Sequence, residues 1–325
     1  FYPMNIESES YLEKEKSNLI SGLIGLNTDN EGRARLTGNF DLSLNNNWNR
    51  GERIELQWQN PQSASQDLRL SFSLPFWFGS PLSSEFQLRL FRQDSSFSRQ
   101  DIDLSLPYNF GPETALSAQF AGRISQRIGN SDLLEINDFR TWQFGLGFDR
   151  DTRERQLVPR QGYLLSLALY SGFRARNEQR IQQYRARMLG ELNTPFSGNW
   201  NWSNQWKAEW LSGERLSNNE LFRLGGINDL RGYNEMAFFS QAYGLWRSEL
   251  RYHLGNLDYL ALFSDLAYQE NPNSSSQNWL QGLGAGFSFQ TKGGIFTLFF
   301  AVGQEEAVGY DFRQTKVHLS YLNRF

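Results

Sequence analysis

Arg231 stands between Leu230 and Gly232 in LFRLGGINDLRGYNEM, residues 221–236, the core of the longest connection in a chain of 325 residues. A guanidinium presents five N–H donors in a rigid planar fork, and away from bulk water it needs carboxylate or amide acceptors. Two acids on neighbouring segments are suitable. In YLALFSDLAY, Leu260, Leu262, Ser264, Leu266 and Tyr268 share one face, which turns Phe263 and Asp265 to the other. In GLWRSELRYHL the face of Gly244, Trp246, Ser248, Leu250 and Tyr252 turns Arg247, Glu249, Arg251 and His253 away from it. Asp265 and Glu249 are candidate partners of Arg231, and Phe263 is a candidate stacking surface. This is the chemistry of a charge latch, not of bond making.

Residues suited to reactive chemistry are scarce. The chain lacks a Gly-x-Ser-x-Gly elbow, an HExxH pair and a P-loop, and its two histidines, His253 and His318, lie in separate segments. With no cysteine it forms neither disulfides nor thiolate metal sites. No enzymatic activity, cofactor or metal is expected. A net charge of -3 without a basic cluster makes nucleic acid an unexpected partner.

The elements that would position these residues alternate with period two along the chain. In TWQFGLGFD, Trp142, Phe144, Leu146 and Phe148 oppose Thr141, Gln143, Gly145, Gly147 and Asp149. In NWNWSNQWKAEW, Trp200, Trp202, Trp206, Ala208 and Trp210 oppose Asn201, Ser203, Gln205, Lys207 and Glu209. Strands are predicted near 18–26, 33–45, 51–60, 67–75, 84–93, 98–108, 113–125, 136–149, 161–172, 179–193, 199–212, 239–254, 257–269, 278–291, 294–303 and 312–325. The connections fall into a mostly short set (NNWNR, NFGPE, LGNLD, TKGG) and a longer polar set (QNPQSASQ, QENPNSSSQ), as in bacterial outer-membrane barrels. Mean hydropathy is -0.58 although 15% of residues are aromatic, and no apolar run reaches the roughly 20 residues of a membrane-spanning helix. A soluble β-sandwich also alternates. Charges, glycines and amides on nearly every polar face, strands of membrane-spanning length and aromatics near strand ends favour a 16-stranded antiparallel transmembrane β-barrel. Closure leaves no sheet edge, as the bilayer requires.

The expected organisation is an N-terminal periplasmic linker at 1–16, a barrel at 17–325 and a lid loop at about 213–238, between the eleventh and twelfth strands. Leu221, Phe222, Leu224, Ile227, Leu230 and Tyr233 are too apolar for a solvated loop tip, so the lid is expected to fold into the lumen. The last strand, KVHLSYLNRF, ends on an aromatic, Phe325, similar to the C-terminal assembly signal of outer-membrane barrels.

LGGINDLRGY resembles the lid signature of the superfamily that includes BamA- and TamA-type assembly barrels and two-partner secretion transporters. Its motif positions here are Gly225, Gly226, Leu230, Arg231, Gly232 and Tyr233. DRDTRERQLVPRQGY is similar to the family's periplasmic turn, through Asp149, Asp151, Pro159 and Gly162. LFSDLAY resembles the strand whose Asp meets the lid arginine, and GLGAGFSFQTKGGIFTLFF the glycine-rich penultimate hairpin. The resemblance implies insertion, assembly or translocation of proteins through a lateral gate in the outer membrane, with both termini periplasmic. The gate would lie between the first and last strands, at Ser21, Gly22, Gly25, Leu319, Ser320 and Tyr321, glycines being weak points in a strand. Implied partners are outer-membrane lipid and lipopolysaccharide, unfolded β-barrel or secreted clients, and periplasmic or lipoprotein accessory subunits. Relatives carry POTRA domains before the barrel. Residues 1–16 are too short for one, so POTRA modules lie upstream or the barrel stands alone. A POTRA-less structural or passive pore, or a two-partner secretion type pore, is the alternative.

Overall fold

The computed structural model describes residues 17–324 except 29–33, 61–64, 94–95, 130–135, 155–156, 177–178, 274–278, 292–293 and 306–308. The predicted linker at 1–16 and the terminal Phe325 lie outside the described residues.

The described residues form nineteen strands. Eleven come first: β1 (Leu19–Thr28), β2 (Ala34–Asn45), β3 (Arg53–Asn60), β4 (Ser65–Leu74), β5 (Ser84–Gln93), β6 (Phe97–Asn109), β7 (Thr114–Arg127), β8 (Phe139–Asp151), β9 (Gly162–Arg176), β10 (Gln179–Ser197) and β11 (Trp200–Leu211). Two short ones, β12 (Phe222–Leu224) and β13 (Phe238–Ser240), pair only with each other. Then follow β14 (Ala242–His253), β15 (Tyr259–Glu270), β16 (Trp279–Thr291), β17 (Gly294–Glu305), the two-residue β18 (Gly309–Tyr310) and β19 (Lys316–Arg324). Without β12, β13 and β18, sixteen antiparallel strands pair in succession, and β19 returns to β1 to close the barrel.

The alternation seen in the sequence becomes two wall surfaces, because successive Cβ atoms point to opposite faces of a strand. On β15, Leu262 is 62% exposed outside while its neighbour Phe263 and then Asp265 are buried inside. On β8 the outer Phe144 and Leu146 are 70% and 74% exposed, flanking inward Gly145. This outward apolar band is the lipid-facing surface. No helix among the described residues is long and apolar enough to cross a membrane.

Three predicted strands begin three or more residues too early, of which the one predicted at 136–149 starts at Phe139. The strand predicted at 239–254 starts at Ala242, because Phe238–Ser240 belongs to the lid ribbon β12–β13. The strand predicted at 312–325 starts at Lys316. The Asp311 side chain accepts from the Arg313 backbone N–H at 3.0 Å and caps a short 3-10 turn at Phe312–Gln314, a local bond that competes with the sheet ladder.

Candidate functional site: the lid and its wall

After β11 the chain leaves the wall at the end opposite the termini and crosses the lumen. Its first part is held on the β5–β9 side. Arg174 Nη1 donates to the Glu220 carboxylate at 3.1 and 3.2 Å, and Asn219 Nδ2 donates to Ser125 Oγ and to the Asn137 carbonyl, both at 2.8 Å. Arg223 donates to Gln93 Oε1 at 2.5 Å, with its guanidinium 3.5 Å from the Phe239 ring centroid. Leu216, Leu221, Leu224 and Leu230 are buried against Leu211 and Leu245 of the wall. An apolar cluster inside a polar lumen explains why these leucines occur in a loop.

The second part is fixed by Arg231, which is 0% exposed. Its Nε and Nη2 grip Asp265 side by side, at 2.7 Å to Oδ2 and 2.5 Å to Oδ1, and its backbone N–H donates to Oδ2 at 3.1 Å. Nη1 donates to Glu249 Oε1. The guanidinium lies 3.6 Å from the centroid of Phe263 and 5.4 Å from that of Phe299. Every element of this arrangement suits arginine and not lysine: a planar fork, two acceptors and an aromatic face. The acids are placed by β14 and β15, in whose ladder Arg247 pairs with Asp265 and Glu249 with Phe263.

Two further arginines of β14 take part, beyond the roles read from the sequence. Arg251 Nε donates to Glu249 Oε2 at 2.7 Å, so the carboxylate is shared between lid and wall. Arg247 lies 3.8 Å from Asp265 Oδ2 and donates through both Nη atoms to the lid carbonyls of Ile227 and Asn228, at 3.1 Å each. Their inward alternation was the available signal. Phe299, on the glycine-rich hairpin, carried none specific to the arginine.

The rest of the motif shapes the loop. Gly225, Gly226 and Gly232 have φ of 123°, 98° and 92°, conformations that favour glycine. A tight turn closes through Gly226 N–H to the Leu230 carbonyl at 3.1 Å. The Tyr233 hydroxyl donates to the Gln304 carbonyl at 2.9 Å and accepts from the Gln281 N–H at 3.3 Å, tying the lid to β16 and β17. The glycine-rich hairpin makes room for it: a Cβ at Gly282 would stand 2.0 Å from the Arg231 carbonyl oxygen, and one at Gly303 would stand 2.8 Å from the Tyr233 ring. Gly282→Val is therefore expected to displace the lid while leaving the wall closed. Limited proteolysis would read this as new cleavage within 213–238, and an unchanged digestion pattern would contradict it.

At the opposite mouth, the turn between β8 and β9 also folds inward. Asp151 accepts from Arg153 N, Nε and Nη2 at 3.1, 2.9 and 2.8 Å, and Arg153 Nη1 reaches Glu191 Oε2 at 2.7 Å. Gly162 has φ 96°, and a Cβ there would meet the Thr152 carbonyl at 2.4 Å. Asp149 lines a cavity of about 450 Å³ in the lumen with Glu85, Arg187 and Glu209. Pro159 belongs to the return of the turn, half-buried between Val158 and Arg160. The Arg160 carbonyl accepts from Asn201 Nδ2 at 2.5 Å and its Nη2 donates to the Gly255 carbonyl at 2.5 Å. Val158 packs on the cluster of Tyr259, Phe263 and Phe299 that also receives Ile227 of the lid. Turn and lid thus meet one aromatic cluster from opposite ends, a connection that no spacing in the sequence encodes.

The seam between first and last strands pairs Leu19 with Arg324, Ile20 with Asn323 and Ser21 with Leu322. Of the residues assigned to it, Ser21 is in the paired part. Gly22 and Gly25 pair with Phe40 and Thr37 of β2, and Leu319, Ser320 and Tyr321 pair with Leu298, Thr297 and Phe296 of β17. Among the described residues, the ladder across the seam covers 19–21 on β1 and 322–324 on β19. Nor does any group of three or more His, Cys, Asp or Glu among the described residues present a metal site.

A family model described as "Omp85 superfamily domain" matches residues 46–314. Solved structures of similar fold include BamA from Haemophilus ducreyi lacking POTRA domains 1-3, with TM-score 0.67 and 11% identity, covering 96% of this chain and 71% of that one. CdiB from Acinetobacter baumannii aligns with TM-score 0.67 at 13% identity, over 96% of this chain and 60% of its own. CdiB from Escherichia coli aligns with TM-score 0.70 at 15% identity, over 97% and 64%. The chain thus spans less than two thirds of either CdiB. No curated protein matches the sequence.

Proposed function

The chain belongs to the Omp85 superfamily, and from that premise we propose that it inserts or translocates other proteins at the outer membrane through a lateral opening between β1 and β19. The observation that carries this reading is the seam. Among the described residues three residue pairs form its ladder, and a strand edge released from so short a ladder would present backbone N–H and C=O groups. In hydrocarbon such groups lack partners, at a cost of several kcal/mol each, which makes the edges a template for a client strand by β-augmentation. The latch supports the same reading, since Arg231 braces β14 and β15 while a separate sector of the wall gives way.

In this account the short-turn end, which holds both termini, faces the periplasm. The clients are unfolded β-barrel or secreted chains. The surrounding bilayer supplies lipid and lipopolysaccharide, and accessory periplasmic or lipoprotein subunits deliver the client. A passive pore fits less well, because lid and turn both occupy the lumen. A two-partner secretion type pore would instead pass one substrate through the lumen and would have to expel the lid. The test is to dilute a urea-denatured outer-membrane barrel into vesicles with and without the protein and to measure its heat-resistant folded fraction. Insertion predicts faster folding in the loaded vesicles, and equal rates would count against it.

A further inference from the structure

One turn at the termini end is built around three consecutive aromatic residues. LPFWFGSPL, residues 74–82, contains no charged residue, whereas the adjacent turns at that end carry Arg50 and Glu113. It forms a single 3-10 turn at Trp77–Gly79 in which Phe76 (φ 54°, ψ 53°) and Phe78 (φ 50°, ψ 32°) are both left-handed. That conformation is unfavourable for bulky residues and persists only where the surroundings impose it. Here it aims two rings away from the protein: Phe76 is 63% exposed and Phe78 wholly so, at 101%.

Trp77 fixes the direction of the turn. Its indole N–H donates to Ser84 Oγ at 3.0 Å, and Ser84 shares the outward face of β5 with Phe86, Leu88 and Leu90. The indole therefore lies against the lipid-facing side of the wall with its one polar group satisfied by the protein, as entry into an apolar phase requires. The neighbouring turns continue the surface. Trp48 reaches the outward Phe72, with ring centroids 6.3 Å apart, and Phe110 meets the outward Tyr108 edge-on at 5.1 Å. Leu82 bridges to Tyr108, joining the turn to β6.

We propose that this ridge of Trp48, Phe76, Trp77, Phe78, Tyr108 and Phe110 is a lipid-docking wedge, seated in the adjacent leaflet where headgroups meet acyl chains. The lipid-facing band of the wall runs directly into it, and its lack of charge matches an apolar phase. An aromatic belt at strand ends is general to such barrels. This turn instead reaches past the strand ends, with Phe76 and Phe78 standing beyond the wall, and fixes the depth of the barrel where it inserts.

The absence of native cysteine allows a clean test. Phe78→Cys, and separately Phe76→Cys, would be spin-labelled and the protein folded into phosphatidylethanolamine/phosphatidylglycerol vesicles, with the heat-resistant form confirming the fold. Asn256→Cys, in another turn at the same end, gives a water-exposed reference, and Leu146→Cys a lipid-facing one. Collision with a water-soluble nickel chelate should be several-fold weaker at both phenylalanine positions than at 256, and collision with oxygen should approach that at 146. Labels at 76 and 78 as open to nickel as the label at 256 would overturn the proposal. So would labels shielded only when membranes containing other envelope proteins are used, since the ridge would then be a protein-docking surface.

Discussion

Arg231→Ala is expected to lower the stability of the folded barrel by about 3–5 kcal/mol, the usual cost of removing one partner from a buried ion pair. The loss arises less from the absent bonds than from what remains: Asp265, wholly buried, would retain the backbone N–H of residue 231 and Arg247 at 3.8 Å but no paired guanidinium, while Glu249 would keep Arg251. Heat-modified gel mobility should show the folded form lost at a lower temperature than in the parent. Arg231→Lys should recover little of this, because an ammonium cannot make the paired contacts to Asp265 or lie flat over Phe263. The double variant Arg231→Ala/Asp265→Ala should be markedly less damaged than the sum of its single variants, since residues in one ion-pair network are not additive. Strict additivity would mean that the two side chains do not act together.

Much of this architecture was legible in the sequence, for a physical reason. A strand buried in lipid on one side and facing a polar lumen on the other must alternate, so sixteen wall strands could be read to within a few residues. Alternation reports pleat but not partner, however. Phe238, Phe239 and Ser240 read as the start of a wall strand because they are a strand, yet they pair with Phe222–Leu224 in the lid. The same blindness affects the seam. Nothing in SNLISGLIGL or KVHLSYLNRF states a register, and the structure pairs 19–21 with 322–324. For the lid, the apolar content of residues 221–233 and the inward parity of Glu249 and Asp265 pointed to a lumenal arginine. Contacts between distant segments, such as Arg247 with the Ile227 carbonyl or Val158 with the Phe263 cluster, have no local trace.

The seam carries the functional account, and locking it should have the largest effect on activity. Ile20 and Asn323 face each other across β1 and β19, and directly opposed antiparallel residues hold their Cβ atoms ~4.5–5.5 Å apart, near the spacing of a disulfide. With no other thiol in the chain, Ile20→Cys/Asn323→Cys should crosslink cleanly on oxidation. A disulfide joining Leu44→Cys to Ile54→Cys, opposed on β2 and β3, is the matched control away from the seam. The deciding measurement is the folding rate of a denatured barrel client in vesicles that hold the seam-locked protein, before and after reduction. The account predicts that oxidation abolishes the acceleration, that reduction restores it, and that the β2–β3 crosslink leaves it intact. A locked seam that still folded client at the reduced protein's rate would contradict lateral opening.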